Sequence, residues 1–241
     1  MLDGGMVRAT STDLLDHLPE KLRAKLRRNT RVVSYAPGST ICLQGDGPTT
    51  LKIVQEGWVK LYRISPEGEE AVITTLSAGS SFDEVAALLG GNCGATVDAV
   101  TACRVQHIDL RGVCDCDDCY RVLSTAIMAA AASHMHAMIN HVEQLKTSSS
   151  WERLADFLLC LASENEADCD TGNCCVDLPF ERKLIAGVLG IKPESLSRAF
   201  NRLKPYGVTS PSHRIVHIDD LDRLRDLRND GDFPETTGKA A

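Results

Sequence analysis

Two short amphipathic stretches separated by one glycine constrain this chain more than any other feature, and they lie within Leu178–Arg214. The first runs from Leu184 to Leu189, and Gly190 follows it at a sharp turn that needs positive φ. The second opens with Pro193, which suits a first helical turn. Its apolar stripe consists of Leu196, Phe200 and Leu203. This spacing predicts two helices joined by a tight turn.

The other face of the second helix is short and polar. Glu194, Ser197 and Arg198 stand at i, i+3 and i+4, so they share one face. Side chains of these types donate to and accept from base edges in the major groove. Residues 182–214 hold seven basic residues against one acid, although the whole chain carries a formal net charge of −7. The segment therefore predicts a DNA-binding helix-turn-helix, with an ordinary helical pair in a core as the alternative.

Glycines recur at intervals of 11 or 12 residues in the N-terminal half: Gly45, Gly57, Gly68, Gly79 and Gly90. Short β-type runs lie between and after them: 51–55, 58–62, 71–76, 95–100 and 103–110. Strands at this spacing with glycine turns predict an antiparallel roll or sandwich, preceded by a short helix near 13–28. Behind the helix-turn-helix, alternation over Arg214–Ile218 predicts the strand of a wing. The predicted fold class is therefore α+β.

A heptad pattern interrupts the β rhythm between Tyr120 and Thr147. Apolar residues spaced by three and four form one seam: Met128, Ala131, Met135, Met138, Val142 and Leu145. The seam predicts a long helix that pairs with a second copy of itself, because two DNA readers suit two half-sites. The alternative is one helix packed on its own domain. Ser148–Ser150 would then be a hinge, and a further helix is expected at 151–161.

Composition and cysteine content indicate the cellular compartment of the protein. No run of 18 or more apolar residues indicates a membrane span, and Met1–Thr12 lacks the apolar core of a signal peptide. We therefore expect a cytoplasmic protein with no membrane partner. Ten cysteines in a reducing compartment favour metal, redox or packing roles over a disulfide framework.

The order of parts resembles the superfamily of the cyclic-AMP receptor protein and the fumarate and nitrate reduction regulator, over about residues 13–228. Leu178–Arg198 carries the strongest resemblance, and its Glu194-x-x-Ser197-Arg198 phrase is similar to the fumarate–nitrate branch. The resemblance implies three parts: an N-terminal helix and β-roll sensor over 1–118, a dimerisation helix over 119–147, and a winged helix-turn-helix over 148–229. Residues 230–241 are expected to form a disordered tail.

The resemblance also implies the function and its residues. The chain is expected to be a homodimeric transcription regulator that reads an inverted repeat of TTGAT-like half-sites and contacts RNA polymerase. Arg198 would donate to guanine, Glu194 would accept from cytosine, and Ser197 would contact a base edge or phosphate. Basic residues around them would hold phosphates: Arg182, Lys183, Lys192, Arg202 and Lys204.

The resemblance to the cyclic-nucleotide branch fails at the phosphate site. Glu84 resembles the residue that holds the ribose, but Asp83 stands where a glycine is expected, and Cys93 or Gly94 stands in place of an arginine. A carboxylate with no cation nearby would repel a cyclic phosphate. We therefore expect no cyclic-AMP binding.

Other effectors are left open by the sequence. Cys114, Cys116 and Cys119 could hold zinc or part of an iron–sulfur cluster, although residues 1–41 lack the cysteines of the usual iron–sulfur relatives. A redox pair of Cys169 with Cys174 or Cys175 is possible, but a variable, flexible loop is favoured there. By family analogy, haem could use His134 and His141, beside the seam.

Two further function classes compete with a DNA-binding regulator. A cupin-like metal enzyme needs His and carboxylate ligands inside the roll, and the strands offer only His107, so an enzyme is not expected. A protein-binding adaptor would not need Glu194, Ser197 and Arg198 on one helical face.

Overall fold

The computed structural model describes residues 14–15, 18–111, 113, 117–164, 169–170 and 173–230. These residues form two compact units. The first unit holds the described residues up to Thr147 together with Lys183–Gly190, and the second holds residues 148–182 and 191–230. The predicted tail beyond residue 230 lies outside the described residues.

Eight strands form the roll of the first unit: β1 (Thr30–Tyr35), β2 (Thr40–Cys42), β3 (Leu51–Glu56), β4 (Val59–Ile64), β5 (Glu70–Leu76), β6 (Ser81–Phe82), β7 (Thr96–Ala99) and β8 (Cys103–Ile108). They make two antiparallel sheets, in the orders β1-β8-β3-β6 and β2-β7-β4-β5. The five predicted strands are confirmed to within two residues at each end. β1, β2 and β6 lacked a clear alternating signal and were not predicted.

The regularly spaced glycines all adopt the left-handed conformation that favours this residue. Their φ angles run from +69° at Gly90 to +89° at Gly45. Gly57 is tightly restricted, because a Cβ there would lie 2.3 Å from the carbonyl oxygen of Ala102. The predicted role of this rhythm in turns is therefore confirmed.

Two apolar clusters fill the first unit. One lies within the roll and includes Val54, Val59, Phe82 and Val105. The other joins the roll to three helices: α1 (Glu20–Arg28), α2 (Glu84–Leu89) and α3 (Asp117–Thr147). The helix expected near 13–28 thus begins only at Glu20.

Helix α3 changes its environment along its length. Leu123 and Ile127 are fully buried against the roll. The apolar residues beyond them are exposed, Met135 most of all at 56%. Among the described residues, α3 is also the one helix long and apolar enough to cross a membrane, judged by length and composition alone. The expectation from the sequence was that no unbroken apolar run of 18 residues occurs. Helix α3 contains none, because polar residues such as Ser133, His134 and Asn140 interrupt it.

The second unit consists of helices around a small antiparallel sheet. Its helices are α4 (Ser150–Glu164), α6 (Pro193–Leu203) and α7 (Leu221–Asp230), and α5 (Arg182–Val188) precedes α6 in the chain. Its strands are β9 (Cys169–Asp170), β10 (Asn173–Asp177), β11 (Val208–Thr209) and β12 (Ile215–Ile218), in the order β11-β12-β10-β9. Helix α4 packs on α6, and Phe157 of α4 lies 6.3 Å from Phe180 between ring centroids. The predicted helices and wing strand are confirmed.

The segment Cys169–Cys175 was expected to be a flexible loop, and this was wrong for its described residues. β9 and β10 pair antiparallel, with Cys169 opposite Cys174 at the Cα level. Cys174 is disulfide-bonded, whereas Cys175 is free and exposed. Alternation in Cys174–Val176, whose first and last residues are buried, is the signal for this strand.

We predict that Gly57→Ala destabilises the protein by about 3 kcal/mol or more. The substitution forces an alanine into left-handed φ, which costs about 1–2 kcal/mol, and also drives its Cβ against the Ala102 carbonyl. Gly68→Ala is the matched control, because φ is +85° there but nothing lies within 4 Å of an added Cβ. In urea denaturation, Gly68→Ala should lower the free energy of unfolding only by the cost of left-handed φ, about 1–2 kcal/mol. Equal losses for both variants would contradict the close approach at Gly57.

Candidate DNA interface and effector cluster

Helix α6 begins as its sequence predicts. Lys192 is extended at the N-cap, Pro193 follows in the first turn, and the amides of Ser195 and Leu196 donate to the Lys192 carbonyl. Four residues of α6 are buried: Leu196, Ala199, Phe200 and Leu203. The predicted apolar stripe is confirmed, so the polar face of the helix is turned toward solvent.

Glu194, Ser197 and Arg198 are all exposed on that polar face. Arg198 Nη2 donates to Ser195 Oγ at 3.1 Å, and Ser197 Oγ donates to the Pro193 carbonyl at 3.3 Å. These contacts within the helix hold the side chains near its first turns, where helix-turn-helix proteins contact bases. The face therefore presents a carboxylate, a hydroxyl and a guanidinium side by side.

Asn201 extends the same face by one turn and is exposed. The sequence analysis missed it, although its position three residues after Arg198 carries the same helical signal. An amide offers a donor and an acceptor together, the pair that matches adenine in the major groove.

The five residues predicted to contact phosphate fall into two groups. Lys183, Lys192 and Lys204 are exposed. The guanidinium of Arg182 contacts Ser210 Oγ and the Ser212 carbonyl and lies 4.7 Å from the Phe200 ring.

Arg202 is exposed like the three lysines, but it also contacts an aromatic ring. Its guanidinium lies 5.4 Å from the ring centroid of Trp151, a buried residue of α4. A cation over an aromatic face is attracted to the ring. Arg182 and Arg202 therefore make contacts inside the unit that the sequence analysis did not foresee, and the three lysines are the simpler phosphate candidates.

A buried ion pair occupies the roll where the sequence analysis expected a carboxylate alone. Lys52 Nζ lies 2.8 Å from Asp83 Oδ2, and the two side chains are only 4% and 9% exposed. Lys52 also donates to Thr49 Oγ1 at 2.6 Å, and Thr49 Oγ1 contacts Asp83 at 3.2 Å. The expectation that no cation stands near Asp83 was therefore wrong, because β3 brings Lys52 to it from 31 residues away.

Asp83 has a glycine-like backbone. Its φ is +60°, the single positive value at a non-glycine position among the described residues. Left-handed φ at such a residue costs free energy and persists where surrounding contacts over-determine it. Asp83 Oδ1 accepts from the Gly94 amide at 3.3 Å, while Oδ2 binds Lys52. Asp83 thus adopts a turn conformation that favours glycine, while its carboxylate is held in an internal salt bridge.

Two thiols border this ion pair. Cys42 Sγ lies 3.9 Å from Asp83 Oδ2, and Cys93 Sγ lies 3.8 Å from Lys52 Nζ and 3.2 Å from Thr49 Oγ1. Both cysteines are free and buried. Burial raises the pKa of the Cys42 thiol well above its usual value, although the Lys52 ammonium acts in the opposite direction.

Glu84, the counterpart of the ribose-binding residue, is already engaged inside the first unit. Ser81 Oγ donates to Glu84 Oε1 at 2.6 Å, and His134 Nδ1 of α3 lies 3.3 Å from the same oxygen. Glu84 is buried and His134 is a quarter exposed. One of the two predicted haem ligands is thus held beside a carboxylate of α2, and His141 is half-buried further along α3.

His107 is a buried histidine of the roll and not part of a carboxylate cluster. Its Nε2 is 3.0 Å from Tyr35 Oη, and its Nδ1 is 3.4 Å from Thr50 Oγ1. Burial, with the Lys52 and Arg31 cations adding to its effect, lowers the pKa of His107 to about 4. The ring is therefore neutral at pH 7 and serves as a hydrogen-bonding core residue.

The six predicted seam residues lie on one exposed stripe of α3. Five have side chains that are large and apolar, and their exposure runs from 38% at Leu145 to 56% at Met135. Ala131 is half-buried, and Ile139, which the sequence analysis missed, is 54% exposed beside the stripe.

The cysteine cluster proposed from the sequence is described only at Cys119. Cys114 and Cys116 lie outside the described residues. Cys119 is partly buried and packs against the apolar cluster that joins α3 to the roll. Cys103 is buried in the core of the roll.

Comparison with known protein families assigns both halves of the chain. Residues 32–114 match the family model of the cyclic nucleotide-binding domain. Residues 152–227 match the Crp-like helix-turn-helix domain. Each match coincides with one of the structural features above: the roll with its buried ion pair, and the exposed face of α6.

Similar proteins cover nearly the whole chain. A candidate cyclic nucleotide binding protein from Ruegeria pomeroyi, of solved structure, is 36% identical, with coverage of 92% of this chain and 99% of that one and a TM-score of 0.63. The nitrogen fixation regulation protein FixK of Rhizobium meliloti is 27% identical over 82% of this chain and 87% of its own. The transcriptional regulator LdrP of Thermus thermophilus is 28% identical over 79% and 93%.

Proposed function

The chain belongs to the Crp/Fnr superfamily of transcription regulators, and we propose that it binds DNA as a homodimer whose two α6 helices read an inverted repeat. Like its relatives, it is a sequence-specific DNA-binding regulator and not an enzyme. One observation carries the proposal: Glu194, Ser197 and Arg198 are exposed together opposite the buried stripe of α6.

The residue types on that face suit a half-site of the TTGAT kind, as in the fumarate–nitrate branch. A guanidinium makes two hydrogen bonds to guanine O6 and N7, and a carboxylate accepts from cytosine N4. Arg198 would therefore bind the guanine, and Glu194 the cytosine, of one G·C pair. Asn201 is added to this set as a reader of the neighbouring A·T pair.

Phosphate binding is assigned to the exposed lysines Lys183, Lys192 and Lys204. These charges neutralise the backbone without reading sequence, and they set the position of α6 on the duplex. Arg182 has a different role, because its contacts with Ser210 and Ser212 fix the turn that leads into β12.

The second copy is proposed to cover the exposed stripe of α3. Large apolar side chains spaced three and four residues apart form a continuous apolar surface along α3. Exposure of this surface to water is unfavourable, and a coiled-coil partner would bury it. A membrane would also cover an apolar helix. However, α3 carries His136, Asn140, Glu143 and Lys146 on its exposed surface, which suits a water-facing dimer.

The effector is proposed not to be a cyclic nucleotide, although a 36% identical relative is described as a candidate cyclic nucleotide binding protein. A cyclic phosphate would have to displace the Asp83 carboxylate from Lys52 inside a buried site. Glu84, which would hold the ribose, is engaged by Ser81 and His134. RNA polymerase as a partner and a cytoplasmic location follow from the proposed regulatory role.

We predict that Arg198→Ala costs about 1–3 kcal/mol on an inverted repeat of TTGAT half-sites and removes the preference at one base pair. Lys192→Ala is the control, because loss of a phosphate contact weakens all sequences alike and lowers the salt slope by about one. Fluorescence anisotropy on duplexes with single-base replacements, at several salt concentrations, separates the two. If Arg198→Ala weakens every duplex equally, the assignment of Arg198 to base reading is wrong.

The dimer is tested at the middle of the seam. Met135→Glu would place two carboxylates in an apolar interface, and we expect the dimer dissociation constant to rise about 100-fold or more. Ser133→Glu, exposed on the far side of α3, should leave it unchanged. Sedimentation equilibrium measures both. A monomeric wild-type chain, or equal behaviour of the two variants, would contradict the proposed seam.

A further inference from the structure

Three metal-ligating side chains converge inside the roll. The sulfurs of Cys42 and Cys93 and a carboxylate oxygen of Asp83 all lie within 4.8 Å of one another. They come from separate segments: the end of β2, the residue before α2, and the loop before β7. The Thr49 hydroxyl is in contact with two of them, at 3.2 Å from Cys93 Sγ and 3.2 Å from Asp83 Oδ2.

The chemistry of these donors is specific. Two thiolates with one carboxylate form a mixed sulfur and oxygen set that suits Zn²⁺, whereas Mg²⁺ and Ca²⁺ prefer oxygen ligands only. A tetrahedral zinc with bonds of about 2.3 Å to sulfur and 2.0 Å to oxygen places those two atoms about 3.5 Å apart. Cys42 Sγ and Asp83 Oδ2 are 3.9 Å apart, which is close to that separation.

The charges of the cluster also balance. In the metal-free cluster, the Asp83 carboxylate is neutralised by Lys52, and the thiols are neutral when protonated. Binding of Zn²⁺ with loss of one proton from each thiol leaves two thiolates, one carboxylate, one ammonium and the metal, which again sum to zero. One zinc ion therefore exchanges for two protons, and the buried site carries no net charge in either state.

We propose that Cys42, Asp83 and Cys93 form a zinc site inside the β-roll, with the fourth position taken by the Thr49 hydroxyl or a water molecule. Lys52 remains beside Asp83 as the counter-cation that orients its carboxylate. The site stands independently of DNA reading by α6. It occupies the part of the roll where the cyclic-nucleotide branch holds its phosphate.

The test uses the full chain, freed of metal under conditions that keep the Cys174 disulfide, with Cys114, Cys116 and Cys119 all changed to Ser so that these thiols cannot contribute. This background should bind one Zn²⁺ per chain. With Co²⁺ it should show thiolate-to-metal charge transfer and the visible bands of tetrahedral coordination. Adding Cys93→Ser should weaken zinc affinity about 100-fold or more, measured by competition with a chromophoric chelator.

Cys103→Ser is the matched control, because Cys103 is equally buried in the roll but outside the cluster, and it should leave zinc affinity unchanged. Circular dichroism checks that each variant folds. If Cys93→Ser fails to fold, Cys42→Ser and Asp83→Asn give the same readout from the other two ligands. The proposal is overturned if the triple-Ser background binds no zinc, or if loss of a cluster ligand leaves affinity and the cobalt spectrum unchanged.

Discussion

The buried pair of Lys52 and Asp83 is the interaction on which the roll depends. Asp83 adopts a left-handed backbone conformation before α2, and the contacts of its two oxygens with Lys52 and the Gly94 amide hold it there. Burying either charge without the other would carry a large desolvation cost. As a pair, the two charges neutralise each other. The start of α2 and the loop before β7 are therefore held together by contacts of Asp83 with Lys52 and with the Gly94 amide.

This arrangement extends from the roll to the long helix. Glu84 follows Asp83 directly, and it contacts Ser81 on one side and His134 of α3 on the other. A change at the Lys52–Asp83 pair, such as zinc binding to its neighbouring thiols, would therefore act one residue away from a contact with α3. Since the exposed stripe of α3 is the proposed dimer seam, the roll and the seam share one structural element.

Local patterns in the sequence predicted much of the fold and the exposed polar face of α6. Helical spacing gave the exposed Glu194 and Arg198, and the glycine rhythm gave the turns of the roll. The buried pair of Lys52 and Asp83 could not be predicted in this way, because these residues are 31 positions apart and meet only through the pairing of β3 with β6. An isolated Lys in the apolar run of β3 was the one available signal. The strand β10 was missed because asparagine and glycine beside it favour a loop.

We propose that the salt bridge between Lys52 and Asp83 takes the place of a cyclic-nucleotide phosphate. Isothermal titration of the full-length protein with cyclic AMP tests it most directly, since binding would require Lys52 to exchange Asp83 for the ligand. We expect no saturable heat at millimolar nucleotide. Saturable binding with micromolar affinity would contradict it.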